Sequence, residues 1–144
     1  MILNEYSRRF AERLFAAHPE WRPLAQSDPE GFPAPGSLLV EVPSPVTGRA
    51  LWVRTYGDQI TVDFGEHGWH EHFGADGKTE EVAFTKALAV IEDLLSERVV
   101  VITRIFFGWR AWMRAIEATR VRRPLIGRIE VRSWTGAADA TLHG

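Results

Sequence analysis

The sequence predicts an α+β domain: a mostly antiparallel β-sheet, made of a meander and C-terminal strands, with an N-terminal helix and one long central helix packed on it. Two observations predict this class. Apolar residues recur at helical spacing near the start of the chain and over residues 79–96, whereas they alternate with period two over 37–74 and 98–134. The chain has 144 residues, enough to bury its own core. We therefore expect residues 1–144 to fold as a single domain.

Residues 1–18 contain the first predicted element, a helix from about Leu3 to Ala17. Its apolar stripe consists of Leu3, Tyr6, Phe10 and Leu14. The helix ends where a proline follows, because the residue before proline is pushed out of the α region. Residues 19–36 carry too many prolines for regular structure, so we expect an irregular surface connection anchored by Trp21 and Phe32.

A β-meander is predicted over residues 37–74. Its four strands cover residues 38–42, 50–55, 60–64 and 69–73. Short turns rich in glycine, proline and aspartate separate them, and the second turn reads Tyr56-Gly57-Asp58-Gln59. Sequential hairpins of this kind need no long connections.

The central helix is predicted over residues 79–96. Thr79 is suited to cap it, and Glu80 and Glu81 place negative charge in the first turn, where the helix dipole favours it. Its apolar stripe consists of Phe84, Leu88, Ile91 and Leu95.

The C-terminal strands are predicted over residues 98–134. The first, up to Phe106, is apolar on both faces, which is typical of a central strand covered on both sides. Trp109–Ile116 is predicted as a strand, with a helix as the alternative because alanine and methionine favour it. A clean alternation predicts a last strand near residues 128–132, and residues 136–144 are expected to form a loose tail.

Composition excludes several classes of protein. There is no cysteine, which rules out a disulfide scaffold, a thiol nucleophile and a zinc site with sulfur ligands. No signal-peptide core and no stretch of roughly 18 apolar residues is present, so we expect a cytoplasmic protein with no membrane partner. The chain also lacks a G-x-S-x-G nucleophile elbow, a phosphate loop and a dinucleotide fingerprint.

Charge is distributed unevenly, although the net charge is only -2. Residues 57–97 carry ten acids against Lys78 and Lys86, whereas residues 98–132 carry nine arginines against two acids. Such segregation can produce two faces of opposite potential that steer a charged partner. The simpler expectation is that the two segments lie side by side and neutralise each other.

The hairpin formed by the third and fourth meander strands places polar side chains on one face. If it turns at residues 66–67, Asp63 lies opposite His70 and Thr61 lies opposite His72, because facing residues of an antiparallel pair share a face. Two histidines and an aspartate can hold a divalent metal, or an aspartate–histidine pair can act as a general base. HxH on a strand is also common on a solvated or interface surface, so all three interpretations stay open.

Arginines over residues 104–132 are interspersed with Trp109, Trp112 and Trp134. Arginine with stacking aromatic rings is typical of a single-stranded nucleic-acid platform. The sequence pI of about 6.2 argues against it, because dedicated nucleic-acid binders usually exceed a pI of about 9. We therefore expect packing tryptophans with ordinary surface arginines, and no nucleic-acid partner.

Three runs of sequence carry a family resemblance: Tyr56-Gly57-Asp58-Gln59-Ile60-Thr61-Val62-Asp63-Phe64, then Trp69-His70-Glu71-His72-Phe73 and, after a helix, Leu95-Ser96-Glu97-Arg98-Val99-Val100-Val101. In this order they resemble the small bacterial immunity proteins of polymorphic-toxin systems, over about residues 50–106. The resemblance implies a domain that binds and neutralises a cognate toxin protein, blocking or distorting its active site. It implies no catalysis and no cofactor.

The leading hypothesis is therefore an immunity protein whose acidic hairpin complements a basic toxin. The candidate partner-binding residues are Asp58, Asp63, Glu66, His67, Trp69, His70 and His72. The alternatives are a small enzyme that depends on a metal or on the Asp63, His70 and His72 cluster, and a single-stranded nucleic-acid adaptor that uses the arginine-rich region. The identity of the toxin and the oligomeric state are left open by the sequence.

Overall fold

The computed structural model describes residues 1–27, 34–65, 68–74 and 79–144. This part of the chain contains two α-helices and nine β-strands, with short 3₁₀ helices at Pro19–Leu24 and Ala118–Arg120. In chain order the elements are α1 (Glu5–Ala17), β1 (Ala25–Ser27), β2 (Leu38–Pro43), β3 (Ala50–Tyr56), β4 (Gln59–Phe64), β5 (Trp69–Phe73), α2 (Glu80–Leu95), β6 (Val99–Phe106), β7 (Trp109–Glu117), β8 (Arg128–Arg132) and β9 (Ala140–His143).

The strands form two antiparallel sheets, which confirms the predicted α+β class but divides the expected single sheet. Sheet A has the order β1-β2-β3-β4-β5, and sheet B has the order β7-β6-β8-β9. The division falls at α2, which separates β5 from β6 along the chain. Strand β6 then pairs with β7 on one edge and β8 on the other, so both of its edges are used within sheet B.

Both helices begin at the residues that the capping rules favour. The Asn4 side chain accepts a hydrogen bond from the Ser7 N–H at 2.9 Å, so α1 starts at Glu5, slightly later than expected. Thr79 caps α2 in the same way through the Val82 N–H, as predicted. No helix in the described part of the chain is long and apolar enough to cross a membrane.

The main core lies between the inner face of sheet A and the two helices. One face of sheet B also contributes to it through Val101, with Met113 and Ala115 packed against it. The largest side chains with no exposed surface are Phe10, Phe64, Phe84, Leu14, Leu38, Leu51, Ile60, Ile91, Leu94, Val40, Val53 and Val62. Burial of this apolar area is the main stabilising contribution to the fold.

A smaller core covers the opposite face of sheet B. It consists of Val100, Ile102, Ile129 and Val131, with Ile116 and Ala140 among the residues packed against it. Because Val100 and Val101 face different cores, β6 is buried on both sides. This confirms the central strand predicted from its apolar composition.

Two parts of the chain differ from the sequence-based expectation, and a third confirms the predicted strand over its alternative. The connection over 19–36 contains a 3₁₀ helix and strand β1, which pairs with β2; Trp21 is buried as expected, whereas Phe32 lies outside the described residues. The tail expected to be loose over 136–144 forms β9, because its backbone pairs with β8. Residues 109–116 belong to a strand, so the helical alternative for them is wrong.

Candidate functional site

The hairpin of β4 and β5 has the register that the sequence predicts. Asp63 pairs with His70, and Thr61 pairs with His72. The apolar residues of both strands point to the main core, so these four polar side chains share the outward face of sheet A. The two imidazoles are exposed, whereas their partners on β4 are largely covered by neighbouring strands.

Local hydrogen bonds fix the orientation of both imidazoles. His72 Nδ1 lies 2.9 Å from Thr61 Oγ1, and His70 Nδ1 lies 3.1 Å from the Gly68 carbonyl oxygen. A carbonyl oxygen only accepts, so His70 Nδ1 carries a hydrogen and its Nε2 presents the free lone pair in the neutral ring. The ring centroids lie 4.9 Å apart in an edge arrangement.

Asp63 is held by an arginine from the neighbouring strand. Arg54 Nη2 lies 3.0 Å from Asp63 Oδ1 and 2.9 Å from Oδ2. Burial raises the pKa of the Asp63 carboxyl, and the nearby Arg54, His70 and His72 charges oppose that rise without cancelling it. The carboxylate is therefore engaged within the sheet, and its hydrogen-bonded partner is a guanidinium.

Not every candidate partner-binding residue is on the surface. Trp69 is only 6% exposed and packs in the main core, so its ring cannot form part of a contact surface in this fold. Asp58 is exposed in the turn between β3 and β4. Glu66 and His67 lie outside the described residues.

A metal centre finds little support in the described geometry. Within residues 1–27, 34–65, 68–74 and 79–144, no three histidine, cysteine or acidic side chains converge in a way that could hold a metal ion. The two imidazoles would need a third strong ligand, and Asp63 is already held by Arg54.

The acidic and arginine-rich segments touch where α2 meets β6 and where β5 meets β7, and their charges pair with more than one part of the chain. Among the described residues, three acids of 57–97 pair with arginines nearer the N-terminus: Glu80 with Arg9, Glu81 with Arg13 and Asp63 with Arg54. Glu92 lies 2.7 Å from the imidazole of His18, and an ion pair between Asp93 and Arg98 joins the acidic and arginine-rich segments. The physical reason is that α1 lies beside α2, so its arginines meet the first turn of α2.

Large apolar side chains are exposed together at one end of sheet B. We call this surface the hairpin patch, and it consists of Phe106, Phe107, Trp109, Trp112, Leu125 and Ile126. Trp109 is 80% exposed, Phe107 is 85% exposed and Leu125 is 96% exposed. Trp109 and Trp112 were expected to be packing tryptophans, which is wrong because both are exposed on β7, and the other four residues were not predicted from the sequence. The sequence feature that could have indicated an exposed apolar surface is the aliphatic pair Leu125-Ile126 within an otherwise basic loop.

The hairpin that carries the patch has an unusual turn. Phe107 and Gly108 connect β6 to β7, and both have positive φ, 48° and 78°. Two-residue hairpin turns of this kind favour asparagine, aspartate or glycine at the first position. A β-bulge follows in the ladder at Arg104 and Ile105, which changes the register toward the hairpin tip.

Two grooves lie beside the start of β6, and both are lined by Val99 and Glu117. One measures about 400 Å³ and the other about 410 Å³. Several of their charged side chains are engaged: Arg98 pairs with Asp93 at 2.7 Å, Arg120 pairs with Glu117 at 3.1 Å, and Glu97 accepts hydrogen bonds from Thr135.

No protein-family model, curated protein or solved structure matches this chain.

Proposed function

We propose that this protein is an immunity protein, which binds a cognate bacterial toxin and neutralises it without catalysis of its own. The observation that carries the proposal is the pairing of Asp63 with Arg54. Acid–base work with His70 or His72 would require this carboxylate to orient an imidazole, as in a histidine–carboxylate pair. With Asp63 held by a guanidinium, the imidazoles act as exposed, pre-oriented polar groups suited to recognition.

The order of elements supports the proposal. Strands β4 and β5, helix α2 and strand β6 follow one another as in the motif series of the immunity proteins that the chain resembles. The three runs that carry the resemblance end on the main core, through Phe64, Phe73 and Val101. The motif residues thus form one packed unit with a polar outer face.

Recognition at this polar face is expected to set specificity more than affinity. Exposed polar contacts contribute little each, because water competes for them. Asp58, His70 and His72 are the described candidates for such contacts. Most of the binding free energy must come from buried apolar area elsewhere on the protein.

Stoichiometry tests the proposal. The genes that flank this chain's gene are searched for a toxin domain, and the activity of that purified domain is titrated with the purified chain. A binding inhibitor abolishes toxin activity at one molar equivalent. At lower ratios it inhibits only in proportion to the amount added. An enzyme that destroys the toxin or its product protects at far lower ratios, and that result would contradict the proposal.

A matched double variant sharpens the titration. His70→Ala with His72→Ala removes both imidazoles from exposed positions and leaves the core intact. We expect the one-to-one end point to remain, with an affinity loss of less than about tenfold. Complete loss of protection in a folded double variant that still binds the toxin would favour the enzyme alternative.

A further inference from the structure

We infer that the hairpin patch is the docking surface for an acidic-rimmed, apolar-centred surface of a protein partner. This inference rests on the proposed function for the identity of that partner, the cognate toxin. It differs from the sequence-based hypothesis, in which an acidic hairpin meets a basic toxin. Four observations at the end of sheet B carry it.

The first observation is the conformation of Phe107. Its φ of 48° lies in the left-handed region, where a residue with a Cβ atom is strained. The ring gains little from burial, because the residue is 85% exposed. Glycine or asparagine would suit the turn better, so folding alone does not explain phenylalanine at this position. A residue that is unfavourable for folding and exposed is best explained by contact with something else.

The second observation is the concentration of exposed apolar area. Two aromatic rings, Phe107 and Trp109, and the aliphatic Leu125 each have most of their surface exposed. Clustered exposure of this kind marks interaction sites, whereas single exposed apolar residues are ordinary. Aromatic residues and arginine are also the types enriched at the centres of protein interfaces.

The third observation is that the patch is held in place before any partner arrives. Phe106 contacts Phe107 with ring centroids 4.5 Å apart, and Phe106 pairs with Trp109 across the strands. Arg104 Nη2 donates to the Ile126 carbonyl oxygen, which fixes the neighbouring loop. The backbones of the hairpin and the loop are therefore ordered relative to each other, which lowers the entropy lost on binding.

Gly127 fixes the distance between that loop and the hairpin. A Cβ atom at this position would lie 2.6 Å from the Ile105 carbonyl oxygen and 3.3 Å from the Phe106 ring. Only a glycine allows the loop to approach β6 this closely. Leu125 and Ile126 are therefore presented next to the hairpin tip.

The fourth observation is the charge around the patch. Arg114 stacks over Trp112, with its guanidinium carbon 4.9 Å from the ring centroid. A groove of about 200 Å³ beside Phe107 is lined by Arg128, which also lies 3.4 Å from Glu130. Residues 104–132 carry eight arginines against two acids, so positive charge is in excess on the segment that bears the patch. An acidic partner complements it.

The chemistry of the patch favours a protein over other occupants. Leu125 and Ile126 have no ring on which a nucleotide base could stack, and the sequence pI is about 6.2. A symmetric pair of this chain would place the same arginines against each other. An acidic protein surface with an apolar centre complements both the apolar side chains of the patch and the arginines around them.

Two variants test the apolar centre against the purified toxin domain. Phe107→Asn removes the ring and suits the turn, and Trp109→Ala removes the larger ring from a strand surface. We expect each to raise the Kd for the toxin at least about tenfold. Phe107→Asn should leave the thermal midpoint unchanged or higher, so loss of binding cannot be ascribed to unfolding. Tyr56→Ala, beside the turn of β3 and β4, is the matched aromatic control and should bind normally.

A pair of arginine variants tests the charge. Arg114→Glu changes the cation stacked on Trp112, and Arg22→Glu changes a cation stacked on Phe15 at 5.1 Å, away from the patch. We expect Arg114→Glu to slow association with the toxin about tenfold at low salt, with the difference shrinking as salt is added. Arg22→Glu should associate as the wild type does.

The outcomes separate the two proposals. If the wild type inhibits the toxin stoichiometrically but Phe107→Asn and Trp109→Ala bind equally well, the docking surface is wrong and the immunity function stands. If the wild type does not inhibit at all, the immunity function fails, and toxin docking fails with it. Binding of oligothymidylate of about 20 nucleotides, or of phosphatidylserine vesicles, that Phe107→Asn abolishes would overturn the choice of a protein occupant.

Discussion

Arg49 and Asp139 form a bidentate ion pair that joins the turn between β2 and β3 to the segment before β9. Arg49 Nη2 lies 2.8 Å from Asp139 Oδ2, and Arg49 Nη1 lies 3.1 Å from Oδ1 and 2.6 Å from the Ser133 carbonyl oxygen. The Arg49 side chain is almost completely buried. Sheets A and B are therefore connected by a charged contact as well as by apolar packing.

Removal of that arginine is expected to destabilise the fold. Arg49→Met removes the guanidinium that pairs with the Asp139 carboxylate and donates to the Ser133 carbonyl, so we expect a loss of about 3 kcal/mol in the free energy of unfolding. Urea denaturation followed by circular dichroism measures it. Arg8→Ala, in the exposed pair with Glu12, is the control and should change stability little. Equal losses in both variants would contradict a structural role for the buried pair.

Acid should weaken the fold through Asp139 and Glu97. Burial alone would raise the pKa of the Asp139 carboxyl, but hydrogen bonds from Arg49 and the Ser133 N–H hold it below its usual value. The pKa of Glu97 is lowered in the same way by Thr135, against the effect of burial. A lowered folded-state pKa contributes stability above the unfolded value, near 3.9 for aspartate and 4.3 for glutamate, and that contribution is lost as pH falls through the folded value.

The measurement is the free energy of unfolding between about pH 2 and pH 7. We expect stability to fall below about pH 4 in the wild type and to fall less steeply in Asp139→Asn, which starts from a lower plateau at neutral pH. Asp63 acts in the opposite sense, because its pKa is raised. An Asp139→Asn variant with an unchanged acid slope would show that this carboxyl does not contribute.

Tyr6 is predicted to tolerate loss of its hydroxyl. Its buried oxygen has no hydrogen-bond partner among the described residues, and burial, with Glu80 and Asp58 nearby, raises the pKa of Tyr6 to about 12. We expect Tyr6→Phe to be neutral or stabilising by up to about 1 kcal/mol, because an unpaired buried hydroxyl is removed. Denaturant unfolding checks this.

Ser7 provides the contrasting hydroxyl beside Tyr6. Its Oγ lies 2.6 Å from Thr55 Oγ1 in the interior. Ser7→Ala should cost about 1 kcal/mol, since Thr55 then loses a buried partner. If Tyr6→Phe proves the more damaging substitution, the oxygen of Tyr6 has a partner that the described residues do not supply.

The alternation of buried and exposed residues along β5 predicts very different losses of stability for two adjacent substitutions. Trp69→Ala empties part of the main core and should cost about 3 to 5 kcal/mol, whereas His70→Ala on the exposed face should stay within about 0.5 kcal/mol. Thermal and urea unfolding of the two variants tests the orientation of the strand. Similar costs for both would contradict it.

The register of the β4–β5 hairpin could be predicted because it depends on local rules. A period of two and a short turn are enough to set Asp63 opposite His70, and one buried face fixes that register strongly. The Thr79 cap and the apolar composition of β6 were predictable for similar reasons. Each depends on residues within a few positions of one another.

Other features depend on contacts between distant parts of the chain. Residues 140–143 have no strand signal of their own and become β9 because β8 offers an unpaired edge. Asp63 was expected to face the imidazoles, and it does. Its carboxylate, however, forms an ion pair with Arg54 from β3. Trp69 was a candidate partner-binding residue, and its side chain lies in the core.

The sequence alone therefore determined the α+β class, the main helices, the meander and the polar face of its last hairpin, since these follow from short-range periodicity and capping. Only the tertiary structure decided how the charges pair and which apolar residues stay exposed. It separated the strands into two sheets and brought Phe107 and Trp109 beside Leu125 at one end of sheet B. Exposure and ion pairing depend on which elements pack together, and long-range packing cannot be inferred from the local sequence pattern of any one segment.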